Sequence, residues 1–143
     1  MFGKPRKNLN SFITQAREIA QKIIDAYGKD PAEYDELEQQ ALSALTFGAI
    51  YVPFWEKKKV SITEFQGVMV AVFIEKFHYD AGIVMSYFDF LMNCLEEEFH
   101  PTMNIIIHTG IDAYDFLDRP AELGAGLHKM VDLARSPYDP TEE

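Results

Sequence analysis

The chain has 143 residues, a net charge of −10 and a hydrophobic fraction of 48%, including 11 Phe and 7 Tyr. This apolar content is enough to fill one core, which excludes a disordered chain. The negative charge argues against nucleic-acid and membrane partners, because a phosphate backbone and an anionic bilayer both attract basic surfaces. We therefore expect a soluble, globular protein.

Three further features predict a cytoplasmic location. The basic first residues are followed by an amphipathic pattern and not by the apolar segment of a secretion signal. The longest apolar runs, 44–55 and 67–74, are shorter than the roughly 20 residues that span a bilayer. The single Cys94 can form no disulfide within the chain, so we interpret it as a small buried hydrophobe in a reducing compartment.

The first half of the chain predicts two helices. Apolar residues recur every three or four positions over residues 10–27, and Gly28 is a good helix stop. A second helix should open at Asp30, with Pro31 in its first position and Glu33 completing a capping box. We expect Pro53 to end it, so that Phe54, Trp55 and Lys57 to Lys59 form a loop.

Two more helices follow in the middle of the chain. Ser61 and Glu64 form a capping box for a third helix that reaches Phe77, and its apolar character predicts a central, enclosed position. A strand over residues 68–74 is the competing interpretation, given the β-branched content. Asp80 should cap a fourth helix that buries Phe99 and ends before Pro101.

The last part predicts a fifth helix over about 102–117 and a sixth that begins at Pro120, followed by a loose tail over 136–143. The apolar face of the sixth helix consists of Leu123, Leu127, Met130 and Leu133. The sequence therefore predicts an all-α protein, with a single domain over residues 1–135. Its architecture should be a bundle or an orthogonal array of about six helices.

Two Glu-x-x-His steps raise the possibility of a metal site: Glu75 with His78, and Glu97 with His100. Paired steps of this kind are typical of di-iron carboxylate bundles. Here they fall near the ends of consecutive predicted helices, which puts them about 25 Å apart if those helices are antiparallel. We therefore predict no metal and no cofactor, and keep a metal-dependent helical enzyme or sensor as the alternative.

An acidic stripe is the main candidate for partner binding. His108, Asp112, Asp115 and Asp118 follow one another at steps of four, three and three, which places them on one slowly drifting helix face, and Glu122 extends the acidic segment. A solvated surface is the alternative explanation. If the stripe has a function, a docking face for a basic protein is favoured, with Trp55 as an additional interface anchor.

No catalytic residues are predicted. The sequence has no glycine-rich phosphate loop after a strand, no cysteine pair for zinc, and no serine with a suitable turn and visible His and Asp companions.

In general build the chain resembles the small, acidic immunity proteins of bacterial polymorphic toxin systems. The features that carry the resemblance are the 143-residue helical body, the single Cys94, the missing signal peptide, and the acidic segments from Asp30 to Glu38 and from Asp112 to Glu122. The resemblance implies a non-enzymatic inhibitor that docks on a cognate toxin domain and blocks its active site. A structural or regulatory subunit of a larger bacterial assembly, with a homodimer as one form, stays open beside it.

Overall fold

The computed structural model describes residues 3–57 and 60–135, with side chains from residue 8 onward. These residues form six α-helices and no strand, which confirms the all-α prediction and excludes the competing strand. The helices are α1 (Gly3–Tyr27), α2 (Glu36–Lys57), α3 (Ile62–Phe77), α4 (Ala81–Asn93), α5 (Pro101–Ala113) and α6 (Pro120–Arg135). Lys58, Lys59 and the predicted tail over 136–143 lie outside the described residues.

Helix α2 is the centre of the protein. Every residue from 41 to 50 is buried, and the helix contacts α1, α3, α5 and α6. The prediction that α3 is central was wrong, since Ile62 and Ile74 on α3 are exposed. Small buried side chains on α2, such as Ala41, Ala44 and Ala49, let neighbouring helices approach from several sides.

Helices α2 and α5 cross at two glycines. A Cβ atom on Gly48 of α2 would overlap the carbonyl oxygen of Ile107, and one on Gly110 of α5 would overlap the carbonyl oxygen of Leu45. The two backbones therefore touch directly, and no other amino acid fits either position without moving a helix apart.

Helix α6 lies against α1 and is fixed there by its own glycine and by a histidine. A Cβ atom on Gly124 would lie 2.6 Å from the carbonyl oxygen of Ala26. The His128 ring stacks on Tyr27 at a centroid distance of 4.4 Å, and its Nε2 is 2.8 Å from the Tyr27 carbonyl oxygen. His128 therefore satisfies a carbonyl group at the end of α1, which helices otherwise leave without a partner.

Several predicted helix ends are confirmed. Helix α1 ends at Tyr27, and Gly28 has a positive φ of 82°. Ser61 and Glu64 make both hydrogen bonds of the capping box at the start of α3, and Asp80 caps α4 by accepting from the Gly82 N–H.

Two predictions about α2 were wrong. Asp30 caps only a short 3-10 turn over Pro31–Glu33, and α2 itself begins at Glu36. Pro53 does not end α2, which continues to Lys57. A proline inside a helix costs about 3 kcal/mol, and packing beyond it offsets this cost: the Phe54 ring stacks on Phe65 at a centroid distance of 4.2 Å.

Helix α4 ends at Asn93, six residues before the predicted position, so Phe99 is 52% exposed and not buried. The side-chain amide of buried Asn104 donates to the carbonyl oxygens of Cys94 and Leu95, at 3.0 and 3.2 Å.

His100 caps α5, and its Nδ1 accepts a hydrogen bond from the Met103 N–H. Helix α5 is also shorter than predicted, because a 3-10 turn over Tyr114–Phe116 replaces its last turn.

A buried carboxylate ties α1, α2 and α6 together. Glu38 is 2% exposed and accepts hydrogen bonds from the Tyr27 hydroxyl at 2.5 Å, from Lys29 at 2.8 Å and from the Asp35 N–H at 2.9 Å. Burial by itself raises the pKa of Glu38, but these hydrogen bonds outweigh it and hold the pKa below its usual value. Arg135 of α6 completes the cluster through an ion pair with Asp35 at 2.7 Å.

We expect Gly48→Ala and Gly110→Ala each to destabilise the protein by about 2–3 kcal/mol, because the added methyl group forces α2 and α5 apart. The matched control is Gly67→Ala on α3, where a Cβ atom meets nothing within 4 Å. This control should stabilise the protein by about 0.5–1 kcal/mol. Urea unfolding followed by circular dichroism measures all three, and equal effects at Gly67 and Gly110 would contradict the backbone contact.

We expect Glu38→Gln to lower the free energy of unfolding by about 2 kcal/mol at pH 7, because the variant loses hydrogen bonds made to a charged acceptor. The pKa of Glu38 is lower in the folded than in the unfolded protein, so its contribution is complete above its ordinary value of 4.5. That contribution is lost as the pH falls through the folded-state pKa. Denaturant unfolding between pH 7 and pH 3 should therefore show the two proteins converging at the acid end, while exposed Glu97→Gln behaves like wild type throughout.

Candidate protein-binding site

A groove runs along the surface between α5 and α6. Helix α5 packs mainly on α2, and α6 packs mainly on α1, so a gap is left between them. One cavity of about 290 Å³ lies near the carboxyl end of α5, and a second of about 480 Å³ lies towards its amino end. Thr109 and Gly126 line both cavities, which makes the groove continuous.

The groove is predominantly apolar. Buried Leu45 of α2 lies in its wall at one end, beside Leu123 and Leu127 of α6. At the other end Ile105 of α5 and Leu133 of α6 are each 65% exposed. Exposed aliphatic side chains on facing helices are characteristic of surfaces that bind another protein.

Acidic residues border one end of this groove. Asp112 of α5 and Glu122 of α6 line the 290 Å³ cavity together with Phe116, and Asp115 lies in the turn between them. Asp112 and Asp115 are exposed, and neither forms an ion pair within the part of the chain that the structure describes. These two acids of the predicted stripe therefore carry exposed charge, but the prediction that the stripe follows one helix face was wrong, because α5 ends at Ala113 and both Asp115 and Asp118 lie after it.

The remaining acids of the stripe have cationic neighbours. Asp118 pairs with Lys22 of α1 at 2.8 Å, and this lysine lowers the pKa of the Asp118 carboxyl. Glu122 lies 3.8 Å from Arg119, whose guanidinium also lies over the Phe116 ring. His108 is exposed on α5 and lines neither cavity.

Trp55 lies elsewhere. It is 58% exposed near the end of α2 and stacks on Tyr51 at a centroid distance of 6.1 Å. It lines neither cavity of the groove. The structure therefore does not bring Trp55 into one site with the acidic stripe, although the sequence analysis had grouped them as partner-binding residues.

The four residues of the two Glu-x-x-His steps do not form one site. Glu75 forms a bidentate ion pair with Arg17, and His78 follows α3 in a left-handed conformation with φ 60°. Glu97 lies exposed in the connection after α4, and His100 caps α5 at its amino end, not at a helix carboxyl end as predicted. Across residues 3–57 and 60–135, no three His, Cys, Asp or Glu side chains group closely enough to hold a metal ion.

The apolar half of the groove was not predicted from the sequence. Leu133 was predicted to face inward, and its exposure corrects that prediction. The three consecutive isoleucines at 105–107 did indicate an exposed apolar side chain on this helix. Successive helix positions turn by about 100°, so three in a row cannot all face one core. Ile106 and Ile107 are buried, and Ile105 is the one that faces outward.

Within the described residues, no helix combines the length and the apolar character needed to cross a membrane. Cys94 is fully buried, and burial raises the pKa of its thiol, so it lacks the thiolate character of a reactive cysteine.

Comparison with known proteins identifies the chain's family. No curated protein and no solved structure matches the chain. A family model does match: the one described as Immunity protein 48, over residues 12–126. The matched segment runs from α1 into α6 and includes the central helix, the whole of α5 and the acidic residues from Asp112 to Glu122. Because the match covers most of the chain, this protein belongs to the immunity protein 48 family.

Proposed function

We propose that this protein is a non-enzymatic inhibitor that docks on a cognate toxin domain and neutralises it. The docking face is the acidic end of the α5–α6 groove, formed by Asp112, Asp115, Asp118 and Glu122. The observation that carries the proposal is the position of Asp112 and Asp115: both carry exposed charges without an ion pair in the described structure, and Asp112 lines an apolar opening. Membership of an immunity protein family supports a protein, and specifically a toxin, as the partner.

The combination of charge and apolar surface suits an inhibitor. A negative patch speeds encounter with a basic partner, and it selects against acidic ones. Charge alone gives little affinity at physiological salt, so a tight complex also needs apolar contacts that exclude water. The groove supplies such contacts directly beside the acids, whereas the exposed cluster Glu96 to Glu98 near the opposite end of α5 lines neither cavity of the groove.

A cytoplasmic complex is part of the proposal, since a single buried Cys94 suits a reducing compartment. No cofactor is needed, because stoichiometric inhibition requires only that the inhibitor cover the toxin's active surface. The metal-enzyme alternative has no geometric support, given the separate positions of Glu75, His78, Glu97 and His100.

We expect the triple variant Asp112→Lys, Asp115→Lys, Asp118→Lys to bind the cognate toxin domain at least about tenfold more weakly, mainly through slower association. The partner to test is the toxin encoded by the adjoining gene. Surface plasmon resonance at low and at physiological salt measures the rates, and survival of cells that co-express the toxin measures neutralisation. The association rate of wild type should fall with salt, and that of the variant much less.

The matched control is Glu96→Lys, Glu97→Lys, Glu98→Lys, which changes the net charge by the same amount near the other end of α5. This control should bind and protect like wild type, provided that circular dichroism shows both variants folded. If both triple variants lose affinity equally, net charge and not this face governs binding. Unchanged toxin binding in the Asp variant removes the acidic face from the proposal.

A further inference from the structure

We infer that the groove between α5 and α6 receives an amphipathic helix of the toxin. The apolar residues of that helix would lie along the groove, and its Lys or Arg residues would lie at the end that contains Asp112 and Glu122. This inference rests on the proposed function, because it specifies what the acidic docking face recognises.

The groove has the length of a short helix. From Thr102 in one cavity to Ala113 in the other, the wall formed by α5 covers 11 residue steps, or roughly 16 Å at 1.5 Å per residue. This matches about three turns of a bound helix. Helices that bind in grooves insert apolar side chains at every third or fourth position, and the two joined cavities offer space for such a row.

The charges along the groove give it a direction. Asp112 and Glu122 line the cavity at the Phe116 end, whereas Lys129 is the only charged side chain among the described residues that line the other cavity. A bound helix with cationic residues at one end therefore forms favourable pairs in one orientation, and meets Lys129 with like charge in the reverse orientation.

Other occupants fit less well. A strand adds to the edge of a sheet, and residues 3–57 and 60–135 contain none. A second copy of the chain docked symmetrically through this face would set one groove against another groove, and two concave surfaces leave their cavities unfilled. The segment 136–143 carries three acids and no Lys or Arg, so its charge opposes the acidic end.

The test uses Gly126, which lines both cavities and has no atom within 4 Å of an added Cβ. Gly126→Leu should fill the groove without disturbing the helix, since leucine is also the better helix former. Gly67→Leu is the matched control: this glycine is equally unobstructed and lines a separate cavity of about 200 Å³ between α1 and α3.

The probe is a synthetic, fluorescently labelled peptide of about 14 residues, with leucines at positions i, i+4, i+7 and i+11 and three Lys or Arg residues at one end. Fluorescence anisotropy should show binding to wild type and to Gly67→Leu, and at least about tenfold weaker binding to Gly126→Leu. The double variant Asp112→Asn, Glu122→Gln should also bind it more weakly, and a peptide with Glu in place of the cationic residues should not bind wild type. No binding of the cationic peptide to wild type, or equal binding to Gly126→Leu, overturns the inference.

Toxin binding by the two kinds of variant distinguishes a failure of this inference from a failure of the proposed function. If Gly126→Leu and the triple Asp variant both weaken toxin binding, the groove and the acidic face act together. If only the Asp variant weakens it, the groove inference fails and the acidic docking face stands. If toxin binding survives the Asp variant, the acidic docking face fails even where the peptide binds. Conversion of a wild-type dimer to a monomer by Gly126→Leu, seen by light scattering, would assign the groove to a second copy and overturn the inference.

Discussion

Direct backbone contact between α2 and α5 is the constraint on which the rest of the structure depends. Gly48 and Gly110 leave no room for a Cβ atom at this crossing, and Gly124 does the same where α6 meets α1. Because α5 is held down on α2 and α6 is held down on α1, the two helices do not close on each other. The groove is what remains between them, and Leu45, whose carbonyl group touches Gly110, lies in its wall.

The acidic residues divide into two groups with different physical roles. Buried Glu38 is paired with Lys29 and a backbone N–H group, while the exposed Asp35 and Glu75 pair with Arg135 and Arg17. These charges hold helices together. Asp112 and Asp115 have no such partner in the described residues, so their field extends into solvent beside an apolar surface. An inhibitor that must find its target quickly and then bind tightly needs both properties in one place.

Polar side chains at helix ends determine where the helices stop and how the segments between them are held. Asn104 donates to the carbonyl groups of Cys94 and Leu95 just after α4, His100 caps α5, and His128 Nε2 donates to the Tyr27 carbonyl oxygen at the end of α1. Each satisfies a backbone group that a helix end exposes. His100, which belongs to one of the two Glu-x-x-His steps, and His128 thus hold helices at their observed lengths and positions.

The sequence by itself determined the number of helices, most of their starting points and most of the core, because apolar periodicity and capping residues act over a few positions. It also located the acids from Asp112 to Glu122. Only the tertiary structure decided that α2 is central, that it continues past Pro53, and that α4 stops at Asn93, since these outcomes depend on Phe65, Asn104 and other partners distant in sequence. The groove also depends on the tertiary structure. Ile105 and Leu133 are covered only if α5 and α6 approach each other closely, and the glycine contacts with α2 and α1 set the distance between these two helices.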